Sequence, residues 1–316
     1  MAQINEESLT DLQRTAHAMA DAARVAVLPF FRRMDLGAEN KAELTGKGAF
    51  DPVTEGDRAA ERAMRAVLAK MRPDDAVIGE EYGATAGTSG LTWVLDPIDG
   101  TRGFLAGTPT WGVLIAVADA GGPILGMIDQ PYIGERFWGA AGRAEMRGPL
   151  GAAPLTTRKA RPLAEAIVFS TFPEVGTAAE AAAFHAVAGA CRLVRYGMDC
   201  YAYALVAAGQ IDLVIEAGLS NYDVQAPIAL IEAAGGIVTD WQGGPAHEGG
   251  RILAAANAAV HAEALAHLLD NGAPLPTSSG HWLELAVVLC LCAVMWVLWH
   301  VRKKYALLWG LAIALA

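Results

Sequence analysis

Apolar positions recur at helical spacing over residues 7–33: Leu9, Leu12, Ala16, Met19, Ala23, Val27, Phe30 and Phe31. The pattern predicts one amphipathic helix over that stretch. A loop with Gly and Lys follows and ends in Lys47-Gly48-Ala49-Phe50-Asp51-Pro52. Thr54 then stands three residues before Asp57, the spacing of a capping box, and predicts a second helix that closes near Arg72-Pro73.

Beyond Pro73 the period changes. AVIG, TWVL, WGVLIAVA and PILGMIDQP are short apolar runs bounded by Gly, Pro and Asp, and they read as strands. Residues 142–155 are rich in Gly and Ala and mark the expected domain boundary. After it, AIVFST, RLVRYG, DLVIEAG, GGIVTD and RILAAAN read as strands, with helices expected at 178–190, 199–208 and 223–234. The alternation predicts an α+β domain over 1–148 and an α/β domain over 149–270. Residues 271–280, NGAPLPTSSG, read as a linker.

Residues 281–316 are different again. LAVVLCLCAVMWVLWHV, from Leu285 to Val301, is flanked by Trp282 and by Arg302, Lys303 and Lys304. With its flanks it approaches the ~20 residues that cross a bilayer. Membrane contact or tethering through residues 281–301 is one expectation; a buried apolar helix or a misread gene end are the others. The polar N-terminus, MAQINEESLT, carries neither the basic nor the apolar part of a signal peptide.

Composition narrows the function classes. The 316 residues are 53% hydrophobic and 18% charged, which is a folding chain and not a disordered one. The net charge of −10 argues against a nucleic-acid partner. Four cysteines, Cys191, Cys200, Cys290 and Cys292, form no CxxC pair, so neither a disulfide framework nor a zinc site is expected and a reduced, cytoplasmic setting fits.

The chemistry concentrates in a few carboxylates at strand ends and helix starts: Glu80 in IGEEYG, Asp96 and Asp99 in WVLDPIDGTRGF, and Asp223 in NYDVQAPIALIEAAGG. Loops at such ends converge on one edge of a layered fold. Four carboxylates held together repel one another unless a cation lies between them, and an oxygen-only set suits Mg²⁺. Pro97 fixes the backbone after Asp96, so Asp96 and Asp99 can face one ion while Ile98 offers its carbonyl. Gly100 permits close approach of a phosphate, with the Thr101 hydroxyl and amide beside it. Taken singly, each has a plainer reading. DPIDG is also an ordinary turn or a calcium-like loop, Glu80 a surface acid, Asp223 a helix cap and Asp57 a capping-box residue.

Taken in order, GEE, WVLDPIDGTRGF and YDV…EAAGG resemble the signature blocks of the inositol monophosphatase superfamily, over roughly residues 8–270. Within it, GTRGFLAGTPTWGVLIAV, MIDQPYIGERFWGA and RYGMDCYAYALVAAGQIDLVIEAGL are most similar to the histidinol-phosphatase branch. Tyr222 stands where the family usually has Trp, and Met198 where that branch is expected to have Gly.

The resemblance implies a layered αβαβα sandwich, of mixed α+β and α/β character, of the inositol monophosphatase and fructose-1,6-bisphosphatase type. It implies two or three Mg²⁺ ions per site, a small phosphomonoester substrate and a homodimer. Glu80, Asp96 and the Ile98 carbonyl would hold one ion; Asp96, Asp99 and Asp223 a second; a third would sit near Glu80. Thr101 with Glu80 would orient the attacking water, and Asp57 and Lys47 would lie close by. Gly100 and Thr101 would bind phosphate, while Asp199, Glu216 and Arg195 would contact the rest of the substrate.

The implied activity is hydrolysis of L-histidinol phosphate by metal-activated water, in histidine biosynthesis. Trp111 or Tyr201 is a candidate to stack on the imidazole, although aromatic residues more often belong to the core. The alternatives are an inositol-1-phosphate or sugar-alcohol phosphatase, an interaction module that keeps the fold, and a tethered phosphatase acting on a phospholipid head group.

Overall fold

In the first helix, α1 (Glu6–Val27), Leu12, Ala16, Met19, Ala23 and Val27 all face inward, as their spacing requires. The helix ends at Val27 and not at residue 33, because Pro29 turns the chain into a short 3₁₀ segment, Leu28–Phe30. A computed structural model describes residues 6–33, 39–40 and 52–271, and the expected tail and linker lie outside these. The chain divides into two compact units, Met1–Ala273 and Pro274–Ala316, and all described residues belong to the first.

A two-stranded ribbon joins β1 (Glu39–Asn40) to β2 (Pro52–Val53). Helix α2 (Glu55–Met71) then begins at the expected box: the Asp57 carboxylate accepts from the Thr54 amide at 2.8 Å, and the Thr54 hydroxyl accepts from the Gly56 amide at 3.0 Å.

The first sheet holds eight strands: β3 (Ala76–Gly79), β4 (Gly83–Thr85), β5 (Thr92–Asp99), β6 (Gly112–Asp119), β7 (Gly122–Gln130), β8 (Glu135–Ala140), β9 (Arg143–Gly148) and β10 (Gly151–Pro154). Their spatial order is β10-β9-β8-β7-β6-β5-β3-β4. All neighbours are antiparallel except β3 and β5, which run parallel. A short helix, α3 (Thr101–Ala106), leaves the end of β5. The Gly/Ala-rich stretch read as a domain boundary is occupied by the β9–β10 hairpin, so position 148/149 falls between paired strands of one sheet. That hairpin is mostly exposed and carries no apolar run, which hides it from a hydrophobic pattern.

The second sheet holds β11 (Ile167–Ser170), β12 (Leu193–Tyr196), β13 (Leu213–Leu219), β14 (Ile237–Thr239) and β15 (Gly250–Ala255), in the order β12-β11-β13-β15-β14. Helices α4 (Ala178–Ala190), α5 (Cys200–Ala207), α6 (Asn221–Ala233) and α7 (Ala258–Asp270) complete the body. Helix α7 was not anticipated, although Asn257 caps it and Val260, Ala264 and Leu268 recur every four residues.

Alternation along the strands decides how these pieces stack. Trp93 and Leu95 of β5, with Val113, Ile115 and Val117 of β6, face α1 and α2. Their neighbours Val94, Leu114 and Ala116 face the opposite way, onto α5 and α6. The same two helices also meet Val214, Ile252 and Ala254 of the second sheet, whose other face packs Leu213, Ile215 and Leu253 against α4 and α7. The result is five layers, helix-sheet-helix-sheet-helix, as the resemblance implied.

Candidate active site

Parallel pairing of β3 with β5 brings the C-terminal ends of both strands to one edge. The Glu80 amide, one residue past β3, donates to the Leu95 carbonyl at 3.2 Å, which sets Glu80 beside Asp96. The β5–β6 register shifts between Asp96 and Asp99, at the DPID segment. There Asp96 Oδ1 accepts from the Ile98 amide at 3.0 Å. This local turn frees the strand end from regular pairing and aims both carboxylates the same way.

Helix α6 delivers the third acid. Asp223 lies in its first turn, where its Oδ2 accepts from the Ser220 amide at 2.6 Å. Oxygens of Asp96, Asp99 and Asp223 lie within 4.8 Å of one another. Asp99 is further tied to α5, whose first amide, that of Cys200, donates to its Oδ2 at 2.5 Å.

Electrostatics mark this cluster. Burial, then Glu80, Asp99 and Asp223, push the Asp96 carboxyl well above the ordinary range. Burial, then Asp199, Asp223 and Glu216, do the same for Asp99. Asp223 is raised to about 7 by burial, with Glu80 and Glu216 adding to it against the Ser220 hydrogen bond. Among the described residues, the charged groups that shift these three acids most are carboxylates. A crowded, buried, all-oxygen set of this kind fits a hard divalent cation, which relieves the mutual repulsion of the carboxylates. Asp96, Asp99 and Asp223 would hold it.

The acids open into a cavity of about 550 Å³ that also holds Ile98, Gly100, Thr101, Asp199 and Glu216. Gly100 has φ +85° and precedes Thr101, whose hydroxyl donates to the Ile98 carbonyl at 3.1 Å. Glu216 is 5% exposed and fully engaged: the Thr171 amide donates at 2.8 Å, the Thr171 hydroxyl donates to the same oxygen, and the Tyr203 hydroxyl donates to the other at 2.8 Å. Asp199 has φ +46°, unusual for a residue with a β-carbon, and burial with Glu216 raises its carboxyl to about 7, opposed by Arg102.

Not every expected residue joins this group. Asp57 is buried in its capping box outside the cavity lining; burial raises it to about 6 and Glu80 adds to the shift. Among the described residues, Arg195 sits exposed on β12, an edge strand paired with β11, and does not line the cavity. Trp111 is fully buried against Phe31 and Phe104, and Tyr201 packs on Phe137 and donates to Glu135, so neither reaches the cavity. Lys47 lies outside the described residues.

Other lining residues were not anticipated. Arg102 follows Thr101 and stacks its guanidinium 4.7 Å from the ring centre of Phe172, both lining the cavity. Arg102 was visible as the one cation in the GTRGF segment, whereas nothing in the sequence marks Phe172.

Comparison with known proteins shows the family. Residues 9–273 match the family model of the inositol monophosphatase family. The chain is 40% identical over 244 residues to the chloroplastic bifunctional phosphatase IMPL2 of Arabidopsis thaliana, covering 76% of this chain and 68% of that protein. It is 35% identical over 267 residues to a histidinol-phosphatase of Streptomyces coelicolor, covering 82% and 97%. A solved inositol monophosphatase from Zymomonas mobilis superposes with a TM-score of 0.71 at 36% identity, covering 83% and 98%. With a strand-end acid cluster, a five-layer body and a match across nearly all described residues, the chain belongs to the inositol monophosphatase family and is a phosphatase of phosphate monoesters.

Proposed function

We propose that the chain hydrolyses L-histidinol phosphate to L-histidinol and phosphate, with Mg²⁺ as the ion. The observation that carries the substrate reading is the acidic wall of the cavity formed by Asp199, which lies against Gly100, and Glu216. A cationic alcohol portion suits that wall better than a neutral polyol does. The histidinol-phosphatase relative points the same way, while the inositol monophosphatase neighbour supports the rival substrate, inositol 1-phosphate.

When bound, the ion supplies Lewis-acid polarisation of the phosphoryl group and of the attacking water. The protein groups do the rest. The Thr101 hydroxyl spends its proton on the Ile98 carbonyl, which leaves its oxygen to accept from a water. Glu80 shares that water and takes one of its protons as the water oxygen bonds to phosphorus; the ester bond breaks, and the alcohol oxygen leaves with the bonding pair and takes up a proton from solvent. Amides of Gly100 and Thr101 would receive phosphoryl oxygens, and Asp199 would hold the departing cationic alcohol in place.

Phosphate release from both esters, measured with the full chain and Mg²⁺, tests the reading. A kcat/KM preference for L-histidinol phosphate of about tenfold or more is expected, equivalent to one charge-assisted hydrogen bond. Preference for inositol 1-phosphate would sink it.

A further inference from the structure

We propose that Glu61 is a positioning residue for Glu80. Glu61 lies on α2, one turn after Asp57, and is 0% exposed. Its Oε2 accepts from the Glu81 amide at 2.7 Å; its Oε1 accepts from the Tyr82 amide at 3.2 Å and from Arg65 Nε at 2.7 Å. The two amides it holds belong to the two residues that directly follow Glu80.

The turn is built around this carboxylate. A β-carbon on Gly79 would fall 2.0 Å from Glu61 Oε1, so the residue before Glu80 has to be glycine for the chain to pass the carboxylate this closely. Arg65 extends the latch along the same segment: its Nη2 donates to the Gly83 carbonyl at 2.5 Å and its Nη1 to the Thr85 hydroxyl at 3.2 Å. On the other side, the Glu80 amide is anchored to Leu95 of β5. The Glu80 backbone is thereby held between α2 and β5, and only its side chain is left to act on Asp96 and Asp223 in the cavity.

A buried carboxylate is costly unless its oxygens are paired, so letting go of the two consecutive backbone amides would leave the Glu61 charge short of partners, which ties the turn to α2. Held this way, Glu80 meets the acid cluster in one orientation, which is what outer hydrogen-bond partners do for groups around a cation.

The inference rests on the metal-assisted reading above, and direct Mn²⁺ binding to the full chain tests it. In Glu61→Gln the new amide nitrogen faces a backbone N–H and both are donors, so the latch fails while the side chain keeps its size. The Mn²⁺ dissociation constant is expected to rise about tenfold or more, with faster hydrogen exchange at the Glu81 and Tyr82 amides. Arg65→Gln, made on a more exposed side chain, should weaken Mn²⁺ in the same direction by less. Folded Glu61→Gln with Mn²⁺ affinity equal to wild type overturns the proposal. If Glu61→Gln does not fold, wild-type Mn²⁺ affinity in Arg65→Gln overturns it instead. A wild-type chain that binds no Mn²⁺ overturns the metal-assisted reading itself and this inference with it.

Discussion

Gly100 lies directly against Asp199: a β-carbon on Gly100 would fall 2.9 Å from both Cβ and Cγ of Asp199. This contact joins the turn after β5, which belongs to the first sheet, to the start of α5, which packs between the sheets. Both residues have positive φ, +85° for Gly100 and +46° for Asp199. Two positive-φ backbones thus face each other at close range.

Gly100→Ala is therefore expected to damage activity more than stability. The left-handed conformation costs an L-residue about 1–2 kcal/mol, which is a few degrees in melting temperature for a body of this size. The clash must also displace Asp199 or the phosphate seat, and a shift of about 1 Å near reacting atoms costs about 10²-fold in rate. Steady-state kinetics beside a thermal melt would show this split; loss of both in proportion would argue against it.

Asp199→Asn tests the acidic wall. The amide keeps the shape and removes the charge, so kcat/KM for L-histidinol phosphate should fall about tenfold, the worth of one charge-assisted hydrogen bond, while that for inositol 1-phosphate changes little. Equal losses on both esters would assign Asp199 to the phosphate seat rather than to the alcohol.

A pH prediction comes from the far side of the second sheet. Glu180 caps α4 through the Thr177 amide at 2.7 Å and accepts from Arg251 Nε at 2.7 Å. Burial opposes its charge, but Arg251 and Thr177 outweigh burial and hold it below the ordinary 4.5. A depressed carboxyl stabilises the fold above its unfolded value and loses that contribution as pH falls through its folded value. Glu180→Gln should lower the melting temperature at neutral pH, on the scale of about 1–3 kcal/mol for a charged hydrogen bond. The gap to wild type should close as pH drops below 4.5; a gap independent of pH would mean packing, not charge, does the work.

Much of the architecture was legible because its signals are periodic or positional. The Thr54–Asp57 box, the inward stripe of α1 and the apolar runs of β5 and β6 each carry a spacing that their geometry demands. The acids Asp96, Asp99 and Asp223 were legible because strand ends and helix starts share an edge. What escaped lacks such a signature. The β9–β10 hairpin is exposed and has no apolar run. Arg195 and Trp111 look like ligand residues by type, and the fold shows the first on an edge strand and the second packed in the core among Phe31 and Phe104. Glu61 was invisible for a different reason: its partners Glu81 and Tyr82 contribute backbone amides, which no side-chain pattern records.

The most direct test of the acid cluster is phosphate release from L-histidinol phosphate by Asp96→Asn against wild type, at saturating Mg²⁺. The substitution preserves shape and removes one of the three converging charges, so a loss of about 10²-fold or more is expected, with the fold intact by circular dichroism. Activity retained by Asp96→Asn would contradict the assignment of Asp96, Asp99 and Asp223 as the catalytic ion site.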